Sequence, residues 1–253
     1  RHLVPENRLR VYDMRAVISA LADTGSVLEL RRGWGHGMVT AFARIEGRPV
    51  GILANNPHHL GGAIDPDAAD KGARFLQLCN AHGIPVLSLC DTPGFMVGPE
   101  VERQAQVRHA CRLFVTASHL QVPVFCVVIR KGYGLGAQAM AVGGFDAPLF
   151  TVAWPTGEFG GMGLEGAVRL GYRKELEAAD AAGGAAAREA LYQQLVAQQY
   201  ERGSAINMAT TLEIDAVIDP ADTRRWLVRG LDSAGTQRGS GAGPAPARFV
   251  DVW

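Results

Sequence analysis

Apolar and polar positions along the chain alternate in two registers. MVTAFARI (38–45) and RPVGILAN (48–55) read as strands, and the Glu46-Gly47-Arg48 turn between them makes the pair a hairpin. IPVLSLC (84–90) and VPVFCVVI (122–129) are short and almost wholly apolar, the pattern of strands buried on both faces. PLFTVAW (148–154) and AVI (216–218) extend the series. Between them the spacing changes to that of helices. VYDMRAVISAL (11–21) predicts a short amphipathic helix, Asp65 caps a helix running to about His82, and Gly83 ends it. Helices are also predicted over 100–119, directly after the glycines at 132–136, from about 164 to 212, and from Pro220 to about Leu231. Strands alternating with helices in this way imply an α/β fold of parallel strands joined by crossover helices.

The 253 residues are enough for one large domain or two small ones, and 47% hydrophobic with 20% charged residues is a globular composition with a substantial core. Lys and Arg number 25 and so do Asp and Glu, which gives no support to nucleic-acid or anionic-membrane binding. No apolar run approaches the ~18 residues of a membrane span, and RHLVPENRLR (1–10) lacks the form of a signal peptide. Cys79, Cys90, Cys111 and Cys126 all sit in apolar contexts without C-x2-C pairing. They are read as reduced core thiols of a cytoplasmic protein. The Ala-rich AADAAGGAAAREA is helical with an interruption at Gly183-Gly184, forming a surface excursion. SAGTQRGSGAGPAPA (233–247) has a linker's composition, and RFVDVW (248–253) is apolar enough to dock.

The chemistry centres on RKGYGLGAQAM (130–140), which follows a buried strand and contains no Ser, Cys, His, Asp or Glu. GYGLGA satisfies the dinucleotide fingerprint G-x-G-x-x-G/A. Against that reading, Arg130-Lys131 intervene between strand and glycines, and no acidic residue ends a second strand at the required distance. Asp91-Thr92-Pro93-Gly94 matches a GTP-binding D-x-x-G, yet the chain has no G-x4-G-K-[ST], no G-x-S-x-G and no H-E-x-x-H. A glycine turn that merely packs a helix close to the sheet is the simplest alternative. The functional reading is that glycines allow close backbone approach, while the first amides of the following helix are unpaired at its positive end. Such a turn stabilises an oxyanion without a side chain, as chemistry passing through an enolate requires.

Four stretches occur in order: NNPHHLGGAIDPDAADKGARFLQLCNAHGIPVLSLCDTPGFMVGPEVE, VPVFCVVIRKGYGLGAQAM, FTVAWPTGEFGGMGLEGAV and EIDAVIDPADTRRWL. Together they resemble the carboxyltransferase component of biotin-dependent acyl-CoA carboxylases, specifically its C-terminal crotonase-like half, over residues 11–231. The Ala-rich segment and the RFVDVW ending are most similar to the single-chain, multidomain carboxylases. The resemblance implies a crotonase/ClpP-like ββα superhelix with flanking helices, residues 1–10 as a linker from an N-terminal half, and 232–253 as linker and tail. It also implies a site shared with the N-terminal half of another protomer in a hexamer. The implied partners are that half, a biotin carboxyl carrier domain and biotin carboxylase, with no nucleic acid and no membrane. Carboxybiotin supplies the carboxyl group, acyl-CoA is the substrate, and one backbone oxyanion hole per half stabilises the two enolates.

Carried over by position, the biotin-side hole falls on the amides of Leu135 and Gly136, where the family usually reads R-K-A-Y-G-G-A. Leu135 thus replaces a glycine and Gly136 an alanine, so the dihedral angle at Leu135 is the point to check. Gly134 and Ala137 flank the hole, Gly94 and Phe95 either wall the biotin pocket or serve the turn alone, and Gln138 takes the position the family places near the acyl group. If the cofactor supplies its own basicity, the lack of acids in this turn is explained. A self-sufficient crotonase-fold lyase or isomerase acting through Glu158, and a non-catalytic assembly module, are the alternative functions.

Elsewhere the expectations are structural. Glu158 is read as a structural or salt-bridge residue in a loop with Gly160, Gly161 and Gly163, with a pocket-facing loop as the alternative. Arg130 and Lys131 are read either as a solvated strand end or as a pair attracting carboxylated or phosphorylated partners. Gly61 and Gly62 are read as part of a plain N-terminal cap, with a second anion-binding turn as the alternative; His109 is a satisfied polar or interface residue, and Arg224 pairs with a carboxylate to lock the last helix. His58-His59 lack a third ligand, so no metal is expected.

Overall fold

The structure, a computed structural model, describes residues 1–235. The predicted tail therefore lies, beyond its first residues, outside the described residues. Eight strands form one sheet: β1 (Leu28–Leu30), β2 (Met38–Ile45), β3 (Arg48–Asn55), β4 (Val86–Thr92), β5 (Val124–Tyr133), β6 (Phe150–Ala153), β7 (Glu158–Gly160) and β8 (Ala216–Val217). Their order is β1-β2-β3-β4-β5-β6-β8, with β7 also pairing to β5. The β1–β2 and β2–β3 pairs are antiparallel, and every later pair is parallel. Among the described residues no helix is long and apolar enough to cross a membrane.

Helices cover both faces of the sheet. α1 (Met14–Leu21) and α9 (Thr223–Gly235) enclose one core with Ile52, Leu87, Phe125 and Val152. α2 (Pro66–Ala81), α4 (Gln106–Ala117) and α5 (Gly134–Met140) enclose the other with Leu53, Cys90, Cys126 and Val128. β4 is buried along its whole length and β5 nearly so, because alternate side chains enter opposite cores. α2 begins as expected: the Asp65 carboxylate accepts the Ala68 amide at 2.8 Å, Pro66 opens the helix, and Gly83 beyond its end has φ +64°. At the far end, Arg224 donates to Asp23 Oδ1 at 2.6 Å and to the Leu21 carbonyl at 2.7 Å, which locks α9 onto α1.

Several expectations change. The helix predicted over 100–119 is two helices, α3 (Pro99–Arg103) and α4, broken at Ala105 with φ +58°. No glycine or proline marks that break. It turns the buried Gln106 inward, where its side-chain amide donates to the Ile64 carbonyl at 3.0 Å. β1 was not foreseen, and Glu158–Gly160 is strand β7 rather than loop. Cys111 is exposed on α4, so three thiols rather than four belong to the core. The helical stretch from 164 resolves into α6 (Leu164–Gly171), α7 (Arg173–Arg202) and α8 (Ala205–Thr210), with the expected interruption of α7 at Gly184. Residues 1–10 lie against the body: Val4 is buried, and the Arg10 carbonyl accepts from Arg130 Nη1 at 2.7 Å.

Candidate active site

β4 and β5 are neighbours, and both end at glycine turns. After β4, Thr92 Oγ1 accepts the Gly94 amide and donates to the Gly94 carbonyl, each at 3.1 Å, closing a tight turn. Gly94 takes φ +120°. Its carbonyl accepts from the Ile64 amide at 3.0 Å, and Met96 N donates back to Ile64 O at 2.9 Å. The turn is thereby tied to the chain leading into α2.

After β5 there is no loop. The strand continues through Arg130-Lys131-Gly132-Tyr133 and passes directly into α5 at Gly134, which corrects the reading of Arg130-Lys131 as an intervening polar end. Tyr133 enters the helix with extended dihedrals and Gly134 turns the chain at φ +57°. A β-carbon on Gly134 would lie 2.8 Å from the Gly161 carbonyl oxygen, so this position needs both glycine's dihedral freedom and its lack of a side chain. Leu135 is not among the left-handed residues, so it carries its side chain at ordinary helical geometry and the substitution of glycine here is unstrained. No side chain caps α5. The amides at 134–136 therefore stand in the position where helical geometry provides no intrahelical acceptor.

The sequence-derived residues fall into two groups around this turn. Gly136 is pressed against Gly94 and Phe95: its β-carbon would lie 2.7 Å from Gly94 Cα and 3.0 Å from Phe95 N. The two turns thus form one backbone unit. Leu135 is 63% exposed, and Ala137 is fully buried in the core under α5. Gly134 and Gln138 instead border a cleft of about 410 Å3, with Gly161, Phe159 and Arg202 among its other walls. Gly94 and Phe95 do not line that cleft, so the structure brings them to Gly136 and not to Gln138.

Sequence reading missed the polar framework beneath. Arg130 is buried, not solvated, and its Nη2 lies 3.3 Å from the fully buried Asp91 Oδ2. Tyr12 OH donates to the same oxygen at 2.7 Å, and the Lys131 amide donates to Asp91 Oδ1 at 3.1 Å. Burial, reinforced by the negative charge of Asp91, pushes the Tyr12 phenol up. Lys131 Nζ donates to the Gly61 carbonyl, and burial lowers its pKa. On the other side, Tyr133 OH donates to Glu158 Oε2 at 2.9 Å, and Arg8 Nη1 lies 3.7 Å from Glu158 Oε1. Burial, with the Glu158 charge adding to it, raises the Tyr133 pKa. Glu158 is thus engaged in holding the residue that opens α5. His59 Nε2 meets Asp65 Oδ2 at 2.8 Å, and His109 Nδ1 meets Asp70 Oδ2 at 3.0 Å. No cluster of three or more His, Cys, Asp or Glu side chains suited to a metal forms among the described residues.

The sequence profile described as the carboxyl transferase domain matches residues 1–240. The chain belongs to that family. Among curated proteins, this carboxyl transferase domain is 38% identical over 242 residues to the methylmalonyl-CoA carboxyltransferase 12S subunit of Propionibacterium freudenreichii subsp. shermanii, covering 94% of this chain and 44% of that protein. It is 36% identical over 238 residues to the carboxyltransferase subunit of propionyl-CoA carboxylase from Haloferax mediterranei, covering 94% of this chain and 45% of that one. The chain thus spans less than half the length of these two relatives. Among solved structures it is similar to a single-chain, multi-domain long-chain acyl-CoA carboxylase, with a TM-score of 0.82 and 58% identity over 90% of this chain and 22% of the other. It is also similar to the transcarboxylase 12S subunit, solved as a hexamer, with a TM-score of 0.86 and 35% identity over 97% of this chain and 47% of that one. The fold is accordingly the α/β crotonase type seen in carboxyltransferases.

Proposed function

We propose that this chain is the C-terminal half of an acyl-CoA carboxyltransferase, holding carboxybiotin at the start of α5 while an N-terminal half presents the acyl-CoA. The observation that carries the reading is the uncapped, acid-free first turn of α5, in a chain that belongs to the carboxyl transferase family. The turn fits the cofactor's chemistry: the Leu135 and Gly136 amides are donors for a ureido oxygen carrying negative charge, and Leu135 stands exposed beside them. Bound there, carboxybiotin would supply the carboxyl group as CO2 and, once that has left the ureido nitrogen, the base that takes the acyl α-proton before the acyl carbon is carboxylated. This chain's residues hold charge and shape. The two amides stabilise the oxyanion, the Gly94–Phe95 turn sets their position through Gly136, and Gln138 borders the cleft beside Gly134.

Exposed apolar side chains, Leu60, Val97, Leu135 and Met162, occur on the segments bearing the glycine turns. They support completion of the site by a second half, in an oligomer like those of the relatives, with a carrier domain delivering the biotin and biotin carboxylase charging it. Glu158 offers no comparable support for a self-sufficient lyase, since Tyr133 and Arg8 already occupy its carboxylate.

The test is reconstitution of this chain with its N-terminal half, followed by carboxyl transfer from carboxybiotin to acyl-CoA. Leu135→Pro removes one amide at a first-turn position where proline is tolerated, and should lower kcat by about 10²–10³ with assembly retained. Unaltered turnover in that variant, or CoA-thioester conversion by this chain without biotin, would overturn the reading.

A further inference from the structure

Strands β4 and β5 change register just before their turns: Cys90 pairs with Val128, whereas Thr92 pairs with Gly132, so β5 advances four residues while β4 advances two. Such a bulge takes backbone groups out of the ladder. One of them, the Lys131 amide, is met by a side chain instead, Asp91 Oδ1 at 3.1 Å. Asp91 is the residue opposite the bulge, fully buried, and its own amide is held by Asn55 Oδ1 at 3.0 Å. Its second oxygen takes Tyr12 OH at 2.7 Å and faces Arg130 Nη2 at 3.3 Å. Arg130 in turn reaches the Arg10 carbonyl, and Lys131 Nζ lies 3.8 Å from Asp91 Oδ1 while donating to Gly61 O. Asp91 therefore ties together the ends of β3, through its amide, and of β4 and β5, through its carboxylate, and through Arg130 and Lys131 it reaches the segment before α1 and the 60–62 turn.

We propose that Asp91 is a positioning residue for the oxyanion turn, fixing the β5 bulge and with it the place of the Leu135 and Gly136 amides relative to Gly94. The inference rests on the carboxyltransferase reading above. Asp91 lies one residue before the Thr92 turn and two residues across from Tyr133 in the paired strand, so it controls both walls at once. A free buried carboxylate would be unfavourable; here two cations face it and a phenol donates to it, at the site where the ladder needs an acceptor. Asparagine retains the shape but only one acceptor: with that oxygen kept on Tyr12 and Arg130, its NH2 group faces the Lys131 amide, which can only donate. The bulge then loses its fixed partner.

In the enzyme reconstituted with its N-terminal half, Asp91→Asn should lower kcat by about 10- to 100-fold, as a sub-ångström to ångström misplacement does, with KM for acyl-CoA within about twofold. In this chain the same variant should speed hydrogen exchange at the Lys131 amide at least about tenfold, a readout that does not depend on turnover. Tyr12→Phe, which keeps the fold's shape and removes one donor to Asp91, should produce a smaller fall of the same kind. It decides the matter if Asp91→Asn does not fold. Unchanged kcat and unchanged Lys131 exchange would overturn the proposal, as would a loss of activity that merely follows the folded fraction. Failure of the wild-type complex to transfer carboxyl groups would defeat the carboxyltransferase reading, while the exchange measurement would still report whether Asp91 holds the turn.

Discussion

Gly136 and Gly94 are in backbone contact: a methyl group on Gly136 would lie 2.7 Å from the Gly94 α-carbon, inside any packed carbon–carbon distance. The start of α5 and the turn after β4 are therefore a single rigid unit. Gly136→Val should force them apart, at an overpacking cost of about 1–3 kcal/mol. For a chain of this size the melting temperature should fall by roughly 3–10 °C. Carboxyl transfer should fall further than stability does. An unchanged melting temperature would show that the turns do not touch.

Gly134 and Gly161 make a second, internally controlled prediction. Gly134 has φ +57° and faces the Gly161 carbonyl oxygen at 2.8 Å from a would-be β-carbon, whereas a β-carbon on Gly161 would meet nothing within 4 Å. Gly134→Ala should therefore destabilise by at least about 1–2 kcal/mol from the left-handed backbone alone. Gly161→Ala should remain within about 0.5 kcal/mol of the parent. Denaturant titration of the two variants side by side checks the difference, and equal stabilities would refute it.

Thiol chemistry follows burial. Burial raises the pKa of Cys79 and of Cys126 to about 12 and pushes Cys90 well up, with its neighbours Cys126 and Asp91 adding to the effect. Cys111 alone is exposed. Since the thiolate is the nucleophile, iodoacetamide at pH 8 should add once to the native chain, at Cys111, and four times after unfolding. Mass spectrometry of the intact chain, then of its peptides, distinguishes the sites. Rapid alkylation of Cys90 in the native chain would contradict the packing around β4.

Local rules were enough for the hairpin, for α2 with its Asp65 cap, and for the two central strands, because each is written in contiguous residues: alternation, a capping side chain, an unbroken apolar run. The glycine turn was legible for the same reason. The misreadings are non-local. Arg130 and Lys131 look like a solvated end, since nothing adjacent in sequence announces that Asp91, about 40 residues earlier, will receive them inside the protein. The break at Ala105 serves Gln106's bond to Ile64, again some 40 residues away. Glu158 forms a strand only because β5 outruns its other partners and offers a free edge at Lys131–Tyr133. Cys111 has a core-like neighbourhood in sequence but falls on the outer face of α4. A signal did exist for Asp91: an acid ending an otherwise apolar strand needs a partner, and two cations follow the next strand.

Asp23 offers a test of how the hairpin and the last helix are joined. Its carboxylate accepts from Arg224 at 2.6 Å, from the Gly47 amide at 2.8 Å and from the Glu46 amide at 3.0 Å. The Arg224 hydrogen bond foremost, then that from Gly47, hold its pKa down at about 2. A carboxyl group whose folded pKa is depressed binds fewer protons in the folded state than in the unfolded one. Its contribution is therefore fully present above the ordinary aspartate value near 4 and is lost as the pH falls through about 2. Asp23→Asn removes the charge but keeps one acceptor, so at pH 7 the variant should melt below the parent. Between about pH 4 and pH 2 the gap should close, because the parent is losing what the variant never had. Arg224→Met, which deletes the other partner, should follow the same convergence. A gap that stays constant across that window would mean that the Asp23 charge does not secure α9 to the β2–β3 hairpin.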